Sequence, residues 1–87
     1  MELNHGAVAG TLESSDIMVT VLPGAGGTRI SLTSTVEAYY GDSIRETICQ
    51  VLRELGVENV RVEAVDHGAL DCTIRARLST AVRRACG

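Results

Sequence analysis

The sequence DIMVTVLPGAGGTRISLTSTV, residues 16–36, decides the fold. Apolar β-branched residues recur at every second position over 17–22, and an alternating pattern resumes over 28–36. A period of two is typical of strands that bury one face. The intervening PGAGG at 23–27 interrupts the alternation with Pro and Gly, the residue types that favour turns. Residues 16–36 therefore predict a strand, a Gly-rich loop and a second strand, which together make a β-hairpin.

An amphipathic helix is predicted after this hairpin. Asp42 and Ser43 are candidate N-cap residues, and Ser43 with Glu46 fits a capping box. Gly56 is a candidate for the left-handed residue that follows a helix C-terminus. Between these limits, apolar residues recur at helical spacing on one face: Ile44, Ile48, Val51, Leu52 and Leu55.

The last third of the sequence predicts a second hairpin and a short final helix. Residues 57–65 alternate, Asp66-His67-Gly68 is a turn signal, and residues 70–77 alternate again. Apolar residues then recur at helical spacing up to the end of the sequence: Leu78, Ala81, Val82 and Ala85. The predicted second half is therefore strand, strand and helix.

The predicted elements assemble into one α+β domain over residues 1–87. The order ββαββα favours a two-layer sandwich, in which two helices cover a four-stranded, mainly antiparallel sheet. Residues 1–14 are small and mixed, and we expect them to form an extended leader. With 87 residues, 45% of them hydrophobic, the chain supports one modest core.

Composition excludes several classes of function. A formal net charge of −3 makes the chain a poor candidate for binding a nucleic-acid backbone. Its only aromatic residues, Tyr39 and Tyr40, offer little surface on which bases could stack. All eight cationic residues are Arg, so the chain lacks the Lys of a Walker phosphate loop or a Schiff-base enzyme. Carriers that attach biotin or lipoate to Lys are excluded for the same reason.

The sequence also predicts a cytoplasmic protein with no membrane segment. The first residues, MELNHGAVAG, lack the basic and apolar regions of a signal peptide, and no apolar stretch approaches the roughly 20 residues of a membrane span. Cys49, Cys72 and Cys86 form no C-x-x-C pair. We expect three free, mostly buried thiols in a reducing compartment.

Polar residues outside the helices give weak indications of chemistry. The Gly-rich segment 24–27 lacks the spacing of a phosphate loop and is not followed by a predicted helix, so a hairpin loop is the preferred interpretation. His67 with Asp66, Asp71 or Cys72 matches no recognised set of metal ligands, and we expect no metal site. Asp71 is predicted on the solvent side of a strand, where it is not expected to act as an acid or a base.

Three arginines form a predicted surface stripe. Arg75 and Arg77 share one face of the predicted last strand, and Arg61 is expected near them across the hairpin. Such a stripe can bind phosphate or an acidic partner. Alternatively, the arginines pair across the strands with Glu63 and Asp71 and keep the surface soluble. The residues leave both interpretations open.

The tetrapeptide Glu13-Ser14-Ser15-Asp16 precedes the first predicted strand. A serine hydroxyl beside two acids is a weak nucleophile, because no His or Lys is at hand to activate it. The segment is either a turn before the strand or an acceptor that another enzyme modifies. The residues alone do not choose between these two interpretations.

Three blocks resemble the citrate lyase acyl carrier protein family, the γ subunit of that complex. They are AVAGTLES at 7–14 with DIM at 16–18, YGDSIR at 40–45, and DHGALDCTIRARL at 66–78. They fall in the family's order and span most of the chain. The resemblance implies a carrier rather than an enzyme. Ordinary acyl carrier proteins differ, since they are helical bundles with an Asp-Ser-Leu triplet that this sequence lacks.

The resemblance implies that Ser14, directly after Leu12-Glu13, carries a phosphoribosyl-dephospho-coenzyme A arm through a phosphodiester. A thiol at the end of the arm would hold acetyl or citryl groups as thioesters. The citrate lyase α and β subunits would exchange acetyl for citryl and cleave citrate to acetate and oxaloacetate. A separate transferase, the holo-carrier synthase, would install the arm.

Two features bear on where the arm is attached. Ser15 stands where members of the resembled family often have Gly, so two hydroxyls are adjacent. In an extended strand these neighbours would point to opposite faces. A swinging arm needs an exposed attachment point beside a flexible segment, and we expect residues 10–15 to provide one.

Two alternatives accompany this interpretation. The Gly-rich segment 23–27 is similar to the carrier subunit of malonate decarboxylase, a relative with the same kind of arm, whereas the Ala-Leu-Asp-Cys block at 69–72 favours citrate lyase. The other alternative is an interaction module without a covalent group, docking a partner through Arg61, Arg75 and Arg77. In each case the chain would not be catalytic alone.

Overall fold

Alternating apolar residues build the sheet, and helical apolar stripes cover one side of it. A computed structural model describes residues 2–35 and 37–87. The described residues form the following elements: β1 (Ala7–Gly10), β2 (Ile17–Pro23), β3 (Thr28–Ser34), α1 (Glu37–Glu54), β4 (Val60–Asp66) and α2 (Asp71–Cys86). The strands form a sheet with the spatial order β1-β2-β4-β3.

The sheet is mixed, with mainly antiparallel pairing. β1 pairs antiparallel with β2, and β2 pairs antiparallel with β4. β4 lies parallel to β3, so that Ala64 stands opposite Val19 on one side and Leu32 on the other. Since β3, α1 and β4 follow one another in the chain, α1 is the crossover that two adjacent parallel strands require.

The core lies between one face of the sheet and the two helices. The buried positions of the central strands alternate, as a one-sided sheet requires: Ile17, Val19, Val21, Val60, Val62 and Ala64. The helices contribute residues at helical spacing: Ile44, Ile48, Val51, Leu52, Ile74, Leu78, Ala81, Val82 and Ala85. Each fully buried Val, Leu or Ile contributes about 1.5–3 kcal/mol. An entirely aliphatic core therefore holds the two layers together.

The α+β class, the two layers, the four-stranded, mainly antiparallel sheet and its two helices are confirmed. The positions of two elements along the chain differ from the prediction. Residues 70–77, predicted as a strand, lie mostly in α2, and the remaining strand is β1, within the predicted leader 1–14. The alternation at 70–77 was misleading because Ile74 and Leu78 also satisfy helical spacing, and both are buried on the same helix face.

The first predicted hairpin also differs from the structure. β2 and β3 follow each other in sequence, but β4 lies between them in the sheet. The loop at 24–27 carries the chain across the beginning of β4, and Gly24 donates its N–H to the carbonyl of Asn59. Val36, the last residue of the predicted second strand, lies outside the described residues. Local alternation predicts strands but not their partners, which explains the error.

The first helix is longer than predicted. It begins at Glu37, so Asp42 and Ser43 lie inside it and do not cap its N-terminus. The apolar periodicity became visible only at Ile44, because the first turns of α1 expose Tyr39 and Tyr40. At the other end the prediction is confirmed. Gly56 has a φ of 69° and donates its N–H to the carbonyl of Arg53, as expected of a residue that ends a helix.

Candidate functional site

Ser14 lies in the loop that joins β1 to β2, residues 11–16, which we call the serine loop. Ser14 and Ser15 are both exposed. Among the residues that the structure describes, no hydrogen bond engages the Ser14 hydroxyl. The position expected from the resemblance is therefore accessible, and its hydroxyl is free to react.

Asp16 fixes the serine loop to α2. The Arg77 guanidinium donates to both oxygens of the Asp16 carboxylate, from Nε at 3.1 Å and from Nη2 at 2.9 Å. The Thr11 hydroxyl donates to one of these oxygens at 2.6 Å, and the backbone N–H of Ile17 donates to the other at 2.7 Å. These bonds, led by that from Arg77, hold the pKa of Asp16 well below its usual range. The same pair raises the pKa of Arg77.

A second set of hydrogen bonds joins the serine loop to the loop between β4 and α2. Ser15 donates its N–H to the carbonyl of His67 at 2.8 Å, and His67 donates its N–H to the carbonyl of Asp16 at 2.9 Å. Ser15 has a φ of 63°, a left-handed conformation that favours Gly. The expectation of an extended backbone at these two residues is wrong, because Ser14 and Ser15 lie in a hydrogen-bonded turn. The opposite-face argument from strand geometry therefore does not separate them.

Asp66 shapes the β4–α2 loop from within. Its carboxylate is buried and accepts hydrogen bonds from the Ser34 hydroxyl at 2.8 Å, from the N–H of Gly68 at 3.1 Å and from the N–H of Ala69 at 3.0 Å. The sequence interpretation placed Asp66 only in a turn and gave no structural part to Asp16. One signal was available for Asp66, since it continues the every-second-residue series of buried positions that begins at Val60.

A groove lies between α1 and the β4–α2 loop, the loop to which the serine loop is hydrogen-bonded. It has a volume of about 350 Å³. We call it the apical groove and define it by six of its lining residues: Tyr40, Ile44, Thr47, Ala69, Leu70 and Asp71. The Thr47 hydroxyl donates to Asp71 at 2.7 Å across it. The groove opens where the parallel strands β3 and β4 end, the usual position of binding sites in open sheets with helical crossovers.

The predicted arginine stripe is not formed. Arg75 and Arg77 lie on α2 rather than on a strand, and they point to different partners. Arg75 forms two hydrogen bonds with Glu54, whereas Arg77 is bound to Asp16. Arg61 pairs with Glu63 at 3.6 Å, but both residues lie on β4, so the pair runs along one strand and not across two as expected. Asp71, predicted on a strand, stands in the first turn of α2.

The remaining candidates are the possible metal ligands and the three cysteines. Within residues 2–35 and 37–87, no three His, Cys, Asp or Glu side chains come together as metal ligands. The thiols are free as expected, and Cys49 and Cys86 are partly buried, whereas Cys72 is exposed and departs from the expectation. Neither described helix is long and apolar enough to cross a membrane.

Comparison with known proteins gives consistent results. The family ACP, described as malonate decarboxylase delta subunit (MdcD), matches residues 4–85. The citrate lyase acyl carrier protein of Lacticaseibacillus casei is 55% identical over 85 residues, covering 98% of this chain and 84% of that protein. The protein of the same name from Streptococcus uberis is 55% identical over 87 residues, with 100% and 86% covered.

A solved structure shares the fold. One chain of a Pseudomonas malonate decarboxylase hetero-tetramer in complex with malonate superimposes with a TM-score of 0.82, over 97% of this chain and 87% of that one. The two sequences are 19% identical, so the likeness concerns the fold.

Proposed function

The chain belongs to the family of citrate lyase acyl carrier proteins, and from this premise we propose that Ser14 carries its prosthetic arm. As an acyl carrier the chain is not an enzyme by itself. In the proposal, phosphoribosyl-dephospho-coenzyme A is joined to Ser14 by a phosphodiester. The α and β subunits of citrate lyase act on acetyl and citryl groups held by the arm, and citrate is cleaved to acetate and oxaloacetate. The observation that carries the proposal is the exposed, unengaged Ser14 hydroxyl on a fixed loop.

The residues around Ser14 fit such a group. A transferase needs an accessible hydroxyl held in one place, and the bonds of Asp16 and Ser15 hold the serine loop on both sides of Ser14. A phosphodiester adds negative charge, which nearby carboxylates would oppose. Arg77 neutralises Asp16, so within residues 11–16 only Glu13 remains as an unpaired carboxylate. The charge of the loop therefore tolerates the modification.

The division of work follows from the residues present. When bound, the arm supplies a terminal thiol that holds acyl groups. Within the described residues no hydrogen bond joins the Ser14 hydroxyl to a base that could activate it, and in the proposal the chain presents the arm while its partners perform the reaction. In this proposal the partners are the citrate lyase α and β subunits and the transferase that loads Ser14, all in the cytoplasm.

The decisive experiment is the intact mass of the chain purified from its native host, followed by peptide mapping of residues 1–29. We expect the mass of phosphoribosyl-dephospho-coenzyme A on Ser14. Ser14→Ala should give a folded chain that is never loaded. Ser15→Gly is the matched control, since it removes the neighbouring hydroxyl and suits the left-handed backbone. Loading of Ser14→Ala but not of Ser15→Gly would move the site to Ser15, and an unmodified chain in an active complex would overturn the proposal.

Malonate decarboxylase provides the alternative assembly. The description of the matching family favours it, whereas the 55% identity to citrate lyase carriers favours citrate lyase. Identifying the subunits that co-purify with the loaded chain separates the two. The interaction module without a covalent group loses its main support, because its arginine face is not formed.

A further inference from the structure

We propose that the apical groove binds the pantetheine end of the arm while the arm is not engaged with a partner subunit. The inference rests on the proposed attachment at Ser14 and adds a second site on the same chain. It assigns to the groove a ligand of defined chemistry, namely a chain of methylene groups with two amides, a dimethyl-substituted carbon and a terminal thiol.

Backbone hydrogen bonds link the loop that carries the attachment point to one wall of the groove. Ser15 is bonded to the carbonyl of His67, and His67 is bonded to the carbonyl of Asp16. Two residues after His67 the same loop reaches Ala69, followed by Leu70 and Asp71 of the groove. The Asp66 carboxylate accepts hydrogen bonds from the N–H groups of Gly68 and Ala69. This wall of the groove therefore has a fixed position relative to the serine loop. An arm attached at Ser14 therefore starts from a loop that is hydrogen-bonded to one wall of the groove.

The lining matches a ligand that is mostly apolar and carries amides. Leu70 and Tyr40 lie at the groove with 69% and 60% of their surfaces exposed, so both gain burial when a ligand covers them. Ile44 and Ala69 add apolar surface. Asp71 accepts the Thr47 hydroxyl with Oδ1, and its other oxygen has no partner within the described residues. That oxygen can accept an amide N–H of the arm. Ligand sites commonly combine an apolar lining with a few polar groups in this way.

The tether makes a weak site sufficient. A ligand linked to its site by a short flexible connection has an effective concentration in the millimolar range. A groove that binds free pantetheine only in the millimolar range is therefore substantially occupied by the attached arm. Such weak binding also lets the arm leave when a partner subunit offers a tighter site. We expect rapid exchange rather than a permanently closed state.

The test is ¹⁵N NMR of the full chain, unloaded and loaded, with intact mass confirming the arm on Ser14. Loading should shift the amides of Thr47, Ala69 and Leu70 in addition to those of the serine loop. Leu70→Ser should remove the shifts at Thr47 and Ala69, whereas Leu12→Ser should leave them. Leu12 is the matched control, because it is an exposed leucine next to Ser14 that does not line the groove.

Titration of the unloaded chain with free pantetheine separates this inference from the proposed function. Saturable shifts at Thr47 and Ala69 that Tyr40→Ser weakens and Tyr39→Ser preserves would support the groove site. A loaded chain whose shifts stay within residues 11–16 would overturn it while leaving Ser14 as the carrier residue. A chain that the transferase never loads at Ser14 would overturn the proposed function. The titration alone would then test the groove, and the absence of saturable shifts would exclude pantetheine binding there.

Discussion

Two loops flank β2, and they are built in different ways. The serine loop, residues 11–16, precedes β2 and is held by the Asp16–Arg77 pair, the Thr11 hydroxyl and backbone bonds to His67. The Gly-rich loop, residues 24–27, follows β2. Its N–H groups at Gly24 and Gly27 bond to the carbonyl and the side-chain oxygen of Asn59. One loop is fixed by a charged pair with a distant helix, and the other by neutral hydrogen bonds with Asn59 and the N–H of Val60.

The difference relates each loop to its task. The Gly-rich loop only has to carry the chain over the start of β4, and three glycines with little side-chain support are sufficient for that. In the proposed function, the serine loop presents one hydroxyl to another protein in a defined position. A charged pair that anchors it to α2 meets this need, because it links the loop to the core on which α2 packs. Glycine content therefore does not indicate which of the two loops carries the proposed attachment site.

The largest difference should appear when Ala replaces Gly10, directly before the serine loop, and Gly26, within the Gly-rich loop. A Cβ on Gly10, the last residue of β1 and directly before the serine loop, would lie 1.8 Å from the carbonyl oxygen of Ile17, and the φ of Gly10 is 98°. A Cβ on Gly26 meets no atom within 4 Å, so only its φ of 78° opposes the change. Gly10→Ala should lower the free energy of unfolding by on the order of 3–5 kcal/mol, and Gly26→Ala by about 1 kcal/mol.

Urea denaturation of both variants measures this difference. Equal losses of stability would mean that the turn at Gly10 relaxes without affecting β2. In that case the serine loop would not be the more rigid of the two loops.

The next largest effect concerns the anchor itself. Arg77→Gln removes the guanidinium that neutralises Asp16, so the serine loop should lose stability and the transferase should load Ser14 several-fold more slowly. Arg61→Gln is the control, because the Arg61–Glu63 pair is exposed on the open sheet face. Its effect on stability should stay within about 0.5 kcal/mol.

Thermal unfolding and the initial rate of loading, followed by mass spectrometry, provide the measurements. Arg77→Lys tests geometry against charge, since Lys keeps the charge but cannot form the two-pronged contact. Equal loading rates for Arg77→Gln and Arg61→Gln would show that the Asp16–Arg77 pair does not position Ser14 for loading.

The anchor also predicts a dependence on pH. Because the pKa of Asp16 is depressed in the folded chain, its contribution to stability is fully present above the ordinary Asp pKa of about 3.9. As the pH falls below this value, the unfolded chain takes up a proton that the folded chain does not, and the contribution is lost. The stability difference between the unsubstituted chain and Asp16→Asn should be constant from pH 7 to about 5 and should shrink below about pH 4. A difference that stays constant down to pH 3 would show that Asp16 is not held in its charged form by Arg77.

The sequence predicted those parts of the fold that depend on neighbouring residues. Alternation located β2 and β4, and helical spacing located the buried faces of α1 and of the second half of α2. It did not predict that β4 lies between β2 and β3, because pairing joins residues far apart in the chain. The strand predicted at 70–77 is wrong, because the apolar residues there fit the two-residue period of a strand as well as the spacing of a helix.

The candidate site divides in the same way. Exposure of Ser14 followed from a short polar run, and its role from the resemblance. The pair that anchors the serine loop, Asp16 and Arg77, joins residues 61 positions apart, and no local sequence pattern predicts such a contact. The groove likewise needs α1 and the β4–α2 loop to be placed side by side. Both features are products of the assembled fold.

The smallest expected effect lies in the Gly-rich loop. Asn59→Ala removes the side-chain oxygen that accepts the Gly27 N–H at 3.1 Å, an exposed bond whose donor can turn to water. The loss of stability should be about 0.5–1 kcal/mol, and loading of Ser14 should be unchanged. Urea denaturation and the loading rate check both parts. Slower loading in this variant would mean that the end of β2 remote from Ser14 influences the serine loop, and the two loops would then have to be treated as one coupled unit.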